Sequence, residues 1–373
     1  MNLTRRPVAT IAAIVTATAG LLAGGGIASA NTSNASHASN AFIGPLHHTK
    51  VISSTVPKNG DVNPYGVAVV RRSTGNLHKG DVLVSNFNDK TNTQGTGTTI
   101  VQVNPHGGMS LFAGISDSNC PGGVGLTTAL VALRNGWVIV GSLPTQNGGM
   151  LSGPGCLIVL NQWGQVKNTI TGDGIDGPWD MTAVDLGDVS ELFVTNVLGG
   201  ILGPKNPNGG TVVRLIITSA AHQTPQVLLS TRIGSGFPAR TDPAALVIGP
   251  TGVGLGLDGT LYVADTLNNR IAAIPHAVTR FKDDGTGSDV SVGSALNGPL
   301  GLAIAPNGHI LTANGADGNL VETTPGGRQI AVKTIDHNMG GGGNLFGIAV
   351  KPGARAVYFV DDFGMDNNLQ LFF

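Results

Sequence analysis

Small and large residues alternate along residues 252–257, where glycine at every second position is separated by valine or leucine. A period of two places successive side chains on opposite faces of an extended chain, so the segment predicts a β-strand. Asp258-Gly259 follows and predicts a tight turn, because glycine tolerates the positive φ that such a turn needs. Further strands are predicted over residues 261–263, 271–274 and 290–294. The whole segment therefore predicts one antiparallel meander of four strands.

The same pattern of an alternating strand, a turn and a second strand recurs along the chain. The predicted second strands end near residues 86, 142, 196, 265, 314 and 361. Copies spaced by about fifty residues are typical of radial or solenoidal arrays. The repeats run from about residue 60 to the C-terminus, which favours one closed ring over two domains.

Composition supports an all-β fold. Of 373 residues, 57 are glycine and 12% are charged. Glycine is unfavourable inside helices, whereas short strands joined by glycine-rich turns tolerate it. The formal net charge is −1 and there is no run of basic residues, so we expect no nucleic-acid binding.

The N-terminus has the pattern of a secretory signal. Arg5-Arg6 is followed by an apolar stretch, and a small-x-small sequence ends at Ala30. We expect residues 1–30 to be removed, leaving no membrane segment and a secreted, extracellular or periplasmic protein. The arginine pair leaves both the general and the twin-arginine export routes open. Residues 31–47 are expected to form a disordered leader.

Residues 49–56 predict a lone strand ahead of the first repeat, while the last repeat has residues for only three strands. We expect this N-terminal strand to be the missing fourth strand of the last repeat. Such pairing would close the ring and leave no exposed strand edge.

Two segments carry a resemblance to a known repeat family. Residues 261–271, LYVADTLNNRI, and residues 296–308, LNGPLGLAIAPNG, are similar to NHL repeats. The resemblance covers about residues 63–373 and implies a six-bladed β-propeller of four-stranded antiparallel blades. The expected folded domain is 48–373, with blades at about 63–114, 124–172, 177–231, 246–294, 297–335 and 344–373 plus 49–56. The resemblance implies the fold and not the chemistry, because such propellers serve as binding platforms, lyases or hydrolases.

In such a meander, the first strand starts and the second strand ends at the same end of the ring. That end should also carry the longer loops at residues 88–98, 144–155, 198–210 and 317–319. Loops on a rigid ring commonly form binding sites. The candidate ligand-binding face contains Tyr65, Asn86, Trp179, Asp180, Asn196, Asp265, Asn314, Phe346 and Asp361. The alternative is that each Asp or Asn that ends a strand hydrogen-bonds its own turn.

The expected function is a non-catalytic, monomeric binding platform for a protein, peptide or carbohydrate. The resemblance implies an alternative, a metal-dependent hydrolase or lyase, lactonase-like or amidating-lyase-like, with carboxylates at the ring mouth. Asp180, Asp265 and Asp361 are the carboxylates expected there. A calcium ion in the axial channel would need several oxygen ligands. No complete catalytic set is evident, so no catalytic residue is assigned.

Cys120 and Cys156 are the two cysteines of the chain. In a secreted protein an even pair predicts a disulfide, and both residues should lie at the same end of the second blade. Two free thiols are the alternative.

Overall fold

The computed structural model describes residues 40–146, 150–197, 208–242, 245–337, 345–362 and 367–373. These residues form the predicted ring of antiparallel blades, a six-bladed β-propeller. The predicted signal segment, the leader up to residue 39 and loop residues 198–207 lie outside the described residues. Within the described ranges, no helix is long and apolar enough to cross a membrane.

The first half of the ring follows the predicted strand order. A lone strand, β1 (Thr49–Ser54), comes first. Blade 1 contains β2 (Val62–Val69), β3 (Val82–Asn88), β4 (Thr99–Val103) and β5 (Met109–Gly114). Blade 2 contains β6 (Gly125–Leu126), β7 (Leu130–Ala132), β8 (Val138–Gln146), β9 (Met150–Leu151), β10 (Cys156–Leu160) and β11 (Val166–Ile170). Both β6 and β7 pair with β8, so they are two parts of one interrupted first strand. Blade 3 contains β12 (Pro178–Asp185), β13 (Val189–Asn196), β14 (Gly210–Thr218) and β15 (Val227–Phe237).

The second half begins with a hairpin between blades 3 and 4, formed by β16 (Arg240–Asp242) and β17 (Leu246–Ile248). Blade 4 contains β18 (Pro250–Leu255), β19 (Leu261–Asp265), β20 (Arg270–Ile274) and β21 (Ser288–Val292). Blade 5 contains β22 (Pro299–Ile304), β23 (Ile310–Asn314), β24 (Asn319–Thr323) and β25 (Gln329–Thr334). Blade 6 contains β26 (Leu345–Val350), β27 (Val357–Asp361) and β28 (Asn368–Phe372). Short 3-10 helices span Asp117–Asn119, Thr266–Asn268 and Ala277–Thr279.

The N-terminal strand closes the ring as predicted. The sheet order in blade 6 is β1-β28-β27-β26, with the ends of the chain paired in antiparallel register. Thr49 lies opposite Phe372, and Ser54 lies opposite Asn368. The blade thus gains its fourth strand from the start of the folded chain, and the pairing covers the edge of β28 that would otherwise be open.

Glycines in the first strands allow neighbouring blades to meet at the axis. A Cβ added to one of these glycines would lie 2.0–2.4 Å from a backbone carbonyl oxygen of the next blade. That oxygen belongs to the first strand of the next blade, except that Gly66 would meet a residue between β6 and β7. The residues placed in this way are Gly66, Gly252, Gly301 and Gly347. A side chain has no room at such distances, which explains why glycine alternates with large residues in the sequence pattern.

Residues 40–47 of the leader are ordered, which corrects the prediction of a disordered leader over 31–47 for that part. The backbone N–H groups of Phe42 and Ile43 donate hydrogen bonds of 2.7 Å to the two carboxylate oxygens of Glu322 in β24. The side chains of Phe42, Ile43 and Leu46 are buried in the core cluster shared by blades 5 and 6. Burial of three large apolar side chains offsets the entropy lost on ordering the segment.

Cys120 and Cys156 form the predicted disulfide, with their Cα atoms 6.0 Å apart. Cys120 lies just ahead of the first strand of blade 2, and Cys156 begins β10. The bond therefore ties the start of the blade to its third strand, as the sequence positions predict.

Candidate functional site

The two ends of the ring differ in construction. At one end, the loop end, first strands begin and second strands finish, and this is the binding face expected from the sequence. At the other, the turn end, short turns connect each first strand to the second strand of its blade. These turns span residues 70–81, 133–137, 186–188, 256–260, 305–309 and 351–356.

Three aromatic side chains meet across the axis at the loop end. The Trp179 indole N–H donates a hydrogen bond of 2.5 Å to the Tyr65 phenolic oxygen. Their rings lie edge to face with centroids 5.6 Å apart, and the Phe346 ring lies 5.2 Å from that of Tyr65. Exposed fractions are 1% for Trp179, 4% for Tyr65 and 8% for Phe346. We call this cluster of Tyr65, Trp179 and Phe346 the aromatic plug.

The hairpin of β16 and β17 packs against the same core as the aromatic plug. Val247 in β17 is fully buried and belongs to the same core cluster as the plug residues. Residues 246–248 were expected in the fourth blade, whereas they pair with residues 240–242 in a separate hairpin. The sequence contains one indication of this extra hairpin. The second strands of blades 3 and 4 end unusually far apart in the chain, at Asn196 and Asp265.

The amides that end the second strands are buried and connect backbone segments. Asn86 donates to the carbonyl oxygen of Thr55 at 2.9 Å, and Asn314 donates to that of Ala295 at 2.7 Å. The side-chain oxygen of Asn196 accepts from the backbone N–H groups of residues 176 and 177, at 3.1 and 3.2 Å. These contacts hold the loops that lead into the blades.

The carboxylates that end second strands are also engaged. Asp265 lies 2.8 Å from the guanidinium of Arg270, and its side chain is fully buried. Asp361 is buried in blade 6 and accepts a hydrogen bond of 3.3 Å from Gln370. Of the nine predicted face residues, eight are buried, and Asp180 alone keeps part of its surface exposed. Local hydrogen bonding and packing thus use these eight side chains, and the ligand-binding role expected for them stays a prediction.

An axial cavity of about 450 Å³ lies beneath the plug. It is lined by the first strands, which contact one another around the axis. Asp180 lies at the inner end, while Arg71 and Arg134 line the part of the cavity that reaches the turn end. Both arginines are exposed. The cavity therefore opens at the end opposite to the one predicted.

Asp180 occupies a position that is glycine in several other blades. It pairs with Thr195, one residue before the end of β13, just as Gly301 pairs with Ala313, one residue before the end of β23. Its carboxylate accepts hydrogen bonds from the backbone N–H groups of Met181, at 2.8 Å, and of Val253 in blade 4, at 3.1 Å. Blade 3 thus holds a carboxylate where those blades bring their backbones together.

The surroundings of Asp180 disfavour its ionised form. Burial raises the pKa of this carboxyl to about 7, although the two backbone donors act in the opposite direction. The pKa of the Tyr65 phenol is also raised, by burial and by the nearby charge of Asp180. A carboxyl with a pKa near neutrality inside a cavity can take up or release a proton at physiological pH.

The residues do not fit the calcium site considered from the sequence. Calcium takes six to eight oxygen ligands at about 2.3–2.6 Å. Among the described residues, no three His, Cys, Asp or Glu side chains are grouped so that they could hold a metal ion. Asp265 is paired with Arg270, and neither Asp265 nor Asp361 is on the lining of the cavity that Asp180 lines.

A group of basic residues that was not predicted from the sequence lies at the turn end. Lys351, Arg71 and Arg134 follow the first strands of blades 6, 1 and 2, which are consecutive in the ring. With Lys79 they line a recess of about 690 Å³ that adjoins the axial cavity. The signal in the sequence was a cation shortly after the first strand in three consecutive blades.

Comparisons with known proteins support the fold. No protein-family model matches the chain, and no curated protein is similar to it in sequence. Similar structures include a gluconolactonase from Xanthomonas campestris, 12% identical over 84% of this chain and 86% of its own, with a TM-score of 0.53. The PQQ-bound aldose sugar dehydrogenase from Streptomyces coelicolor is 15% identical over 87% and 97% of the two chains, with a TM-score of 0.53.

Virginiamycin B lyase from Staphylococcus aureus is 16% identical over 84% of this chain and 82% of its own, with a TM-score of 0.49. At such identities the likeness shows the propeller fold alone, because one fold supports many chemistries. The resemblance to NHL repeats stays a prediction. The chain is a six-bladed β-propeller of the architecture seen in lactonase and sugar dehydrogenase structures.

Proposed function

We propose that this protein binds a small organic ligand in the axial cavity without transforming it, and that the ligand enters from the turn end. The observation that carries the proposal is the cavity itself, which the aromatic plug closes at the loop end and which reaches exposed arginines at the turn end. Its volume of about 450 Å³ lies within the usual range of ligand pockets, roughly 300–1,000 Å³. This proposal retains the binding function expected from the sequence, but it assigns binding to the turn end and not to the loop end.

The lining indicates the ligand class. Each first strand is the edge strand of its blade, so one side of its backbone has no partner within the sheet. The first strands surround the cavity, and although the Val253 N–H is already bonded to Asp180, this backbone edge suits a ligand with several hydroxyl or amide groups. We therefore propose a carbohydrate or a short peptide as the ligand, and a monomeric protein as its receptor.

We also propose that the protein acts outside the cytoplasm and that its blades are NHL-type repeats. The disulfide supports the first point, because such bonds persist in oxidising compartments. The signal-like pattern of residues 1–30 supports it independently.

A thermal-shift screen of sugars, sugar acids, sugar phosphates and short peptides would test the binding function. Thr182 lines the cavity, and Thr182→Trp should fill it and abolish the shift produced by a ligand. Thr279→Trp is the matched control, because Thr279 is exposed in the connection before the outermost strand of blade 4. An unchanged ligand shift in a folded Thr182→Trp variant would rule out the axial cavity.

A second candidate function is hydrolysis or elimination in the same cavity, with Asp180 as the general acid or base. The raised pKa of this carboxyl favours it, since proton transfer is most effective when the pKa lies near the working pH. Turnover of lactones should then fall at least about a hundredfold in Asp180→Asn. Asp185→Asn is the control, because Asp185 lines the outer part of the same cavity. Equal activity of both variants, or no turnover, would remove this candidate.

A further inference from the structure

We infer that the recess at the turn end binds a doubly charged oxyanion, such as the phosphate group of a small phosphorylated ligand. The body of that ligand would occupy the axial cavity, and only this second point rests on the proposed function. Arg71 and Arg134 line both the recess and the cavity, which makes the two spaces continuous.

Four cationic side chains converge on the recess from three blades. Lys351 comes from blade 6, Arg71 and Lys79 from blade 1, and Arg134 from blade 2. His106 lies on the same lining, in the turn between the third and fourth strands of blade 1. Because these residues come from turns of three different blades, their charge surrounds a depression and does not form the linear stripe that tracks a nucleic-acid backbone.

The cations of the recess lack carboxylate partners, unlike five other arginines of the ring. Those five lie 2.6–3.0 Å from a carboxylate oxygen, and they are Arg214, Arg232, Arg240, Arg270 and Arg280. In the part of the chain that the structure describes, no such ion pair involves the side chains of Arg71, Lys79, Arg134 or Lys351. The four cations of the recess therefore outnumber the carboxylates beside them, which are Asp81 on its lining and Asp185, which accepts a hydrogen bond of 2.6 Å from the Arg134 backbone N–H.

The one acidic side chain on the recess lining is poorly placed to compensate this charge. Asp81 is buried, accepts a hydrogen bond of 3.3 Å from Asn104 and lies 3.5 Å from His78. Burial also raises the pKa of the Asp81 carboxyl. The wall beside it is aromatic, with the Lys351 ammonium 5.8 Å from the centre of the Tyr358 ring. This contact restrains the lysine next to the recess.

The number of cations favours a dianion over a monocarboxylate. A phosphate monoester carries about 1.5–2 negative charges at pH 7 and offers three acceptor oxygens. Two arginine forks and two ammonium groups can donate to those oxygens together, and the planar fork suits phosphate geometry. A single carboxylate would leave most of the positive charge uncompensated.

The test is a calorimetric titration with inorganic phosphate at 0.15 M salt, where charges more than about 8 Å apart are largely screened. We expect saturable binding, weakened about tenfold in Arg71→Gln and in Arg134→Gln, since each removes charge-assisted hydrogen bonds. Arg72→Gln is the matched control, because Arg72 is exposed in the same turn and is not on the recess lining. Its effect should stay below about twofold.

Three results would overturn the inference: no saturation with phosphate, equal weakening by Arg72→Gln, or acetate binding as tightly as phosphate. Glucose 6-phosphate separates the inference from the proposed function. If Thr182→Trp weakens glucose 6-phosphate binding and leaves inorganic phosphate binding unchanged, both hold. If it changes neither, the recess stands and the axial binding function fails.

Discussion

The indole N–H of Trp179 in blade 3 donates a hydrogen bond of 2.5 Å to the phenolic oxygen of Tyr65 in blade 1. The bond spans the loop end of the axis and connects two blades that are not neighbours. Because both side chains are buried, it closes the ring mouth with satisfied polar atoms. Because this contact closes the loop end, the axial cavity is accessible from the turn end.

Replacing Trp179 by phenylalanine should keep an aromatic ring in the plug and remove the donor. The Tyr65 oxygen would stay buried without this hydrogen bond, so the free energy of unfolding should fall by about 1–3 kcal/mol. Urea denaturation would measure the change. Trp163→Phe is the control, since Trp163 is 52% exposed and should cost less than about 0.5 kcal/mol. Equal costs for the two variants would contradict the plug.

Asp180 should make the stability depend on pH. Its pKa is about 7 in the folded protein, above the ordinary aspartate value of 3.8 that applies to the unfolded chain, so the folded state binds the proton more tightly. Stability from this group is therefore greatest below about pH 4 and decreases as the pH rises to about 7.

The difference between the wild-type protein and Asp180→Asn isolates that contribution. Thermal unfolding between pH 4 and 8 should show a flatter profile for the variant. Asp362, with a pKa also raised to about 7, contributes a decrease of the same sign in both proteins and cancels in the comparison. Parallel profiles would show that the Asp180 pKa is not raised.

Glu322 should control the docking of the N-terminal segment. Glu322→Gln keeps the shape of the side chain, but its amide nitrogen cannot accept the hydrogen bond from Phe42 or Ile43. We expect the free energy of unfolding to fall by about 1.5–3 kcal/mol and cleavage by a protease near residues 40–47 to accelerate. Asp188→Asn, at an exposed turn of blade 3, is the control and should leave cleavage unchanged. Slow cleavage in both variants would contradict this role.

Removal of the disulfide should destabilise blade 2. The bonded cysteines are 36 positions apart in the chain, and the chain-entropy model assigns about 3–4 kcal/mol to a loop of that length. Calorimetry of the double variant Cys120→Ser, Cys156→Ser would measure the loss. A melting temperature equal to that of the oxidised wild-type protein would show that the bond contributes nothing.

The fold was largely predictable because its signals are local. Alternating strands, Asp-Gly and Asn-Gly turns and a repeat of about fifty residues define the blades, and the lone strand at 49–56 predicts ring closure. The docking of Phe42 was not predictable in the same way. Its partner Glu322 is 280 positions away in the chain, and no repeat pattern connects the two segments.

The location of the predicted face residues followed from the sequence, but their burial did not. The strand pattern predicted that Tyr65, Trp179 and Phe346 lie at one end of the ring, and the structure brings them together there. Whether these side chains line an opening or fill it depends on the distances between blades across the axis. The periodicity of the strands gives no information about those distances. Asp180 could be recognised as a carboxylate at a position that is glycine in four other blades, once the repeats are aligned. The basic recess depends on which turns become neighbours on closure of the ring.

We propose that ligands bind from the turn end, beneath the aromatic plug. A crystal structure with the ligand that gives the largest thermal shift would test this directly. We expect difference density inside the axial cavity, between Asp180 and Arg71. Density on the other side of the plug, above Tyr65 and Trp179 at the loop end, with the cavity holding only water, would contradict it.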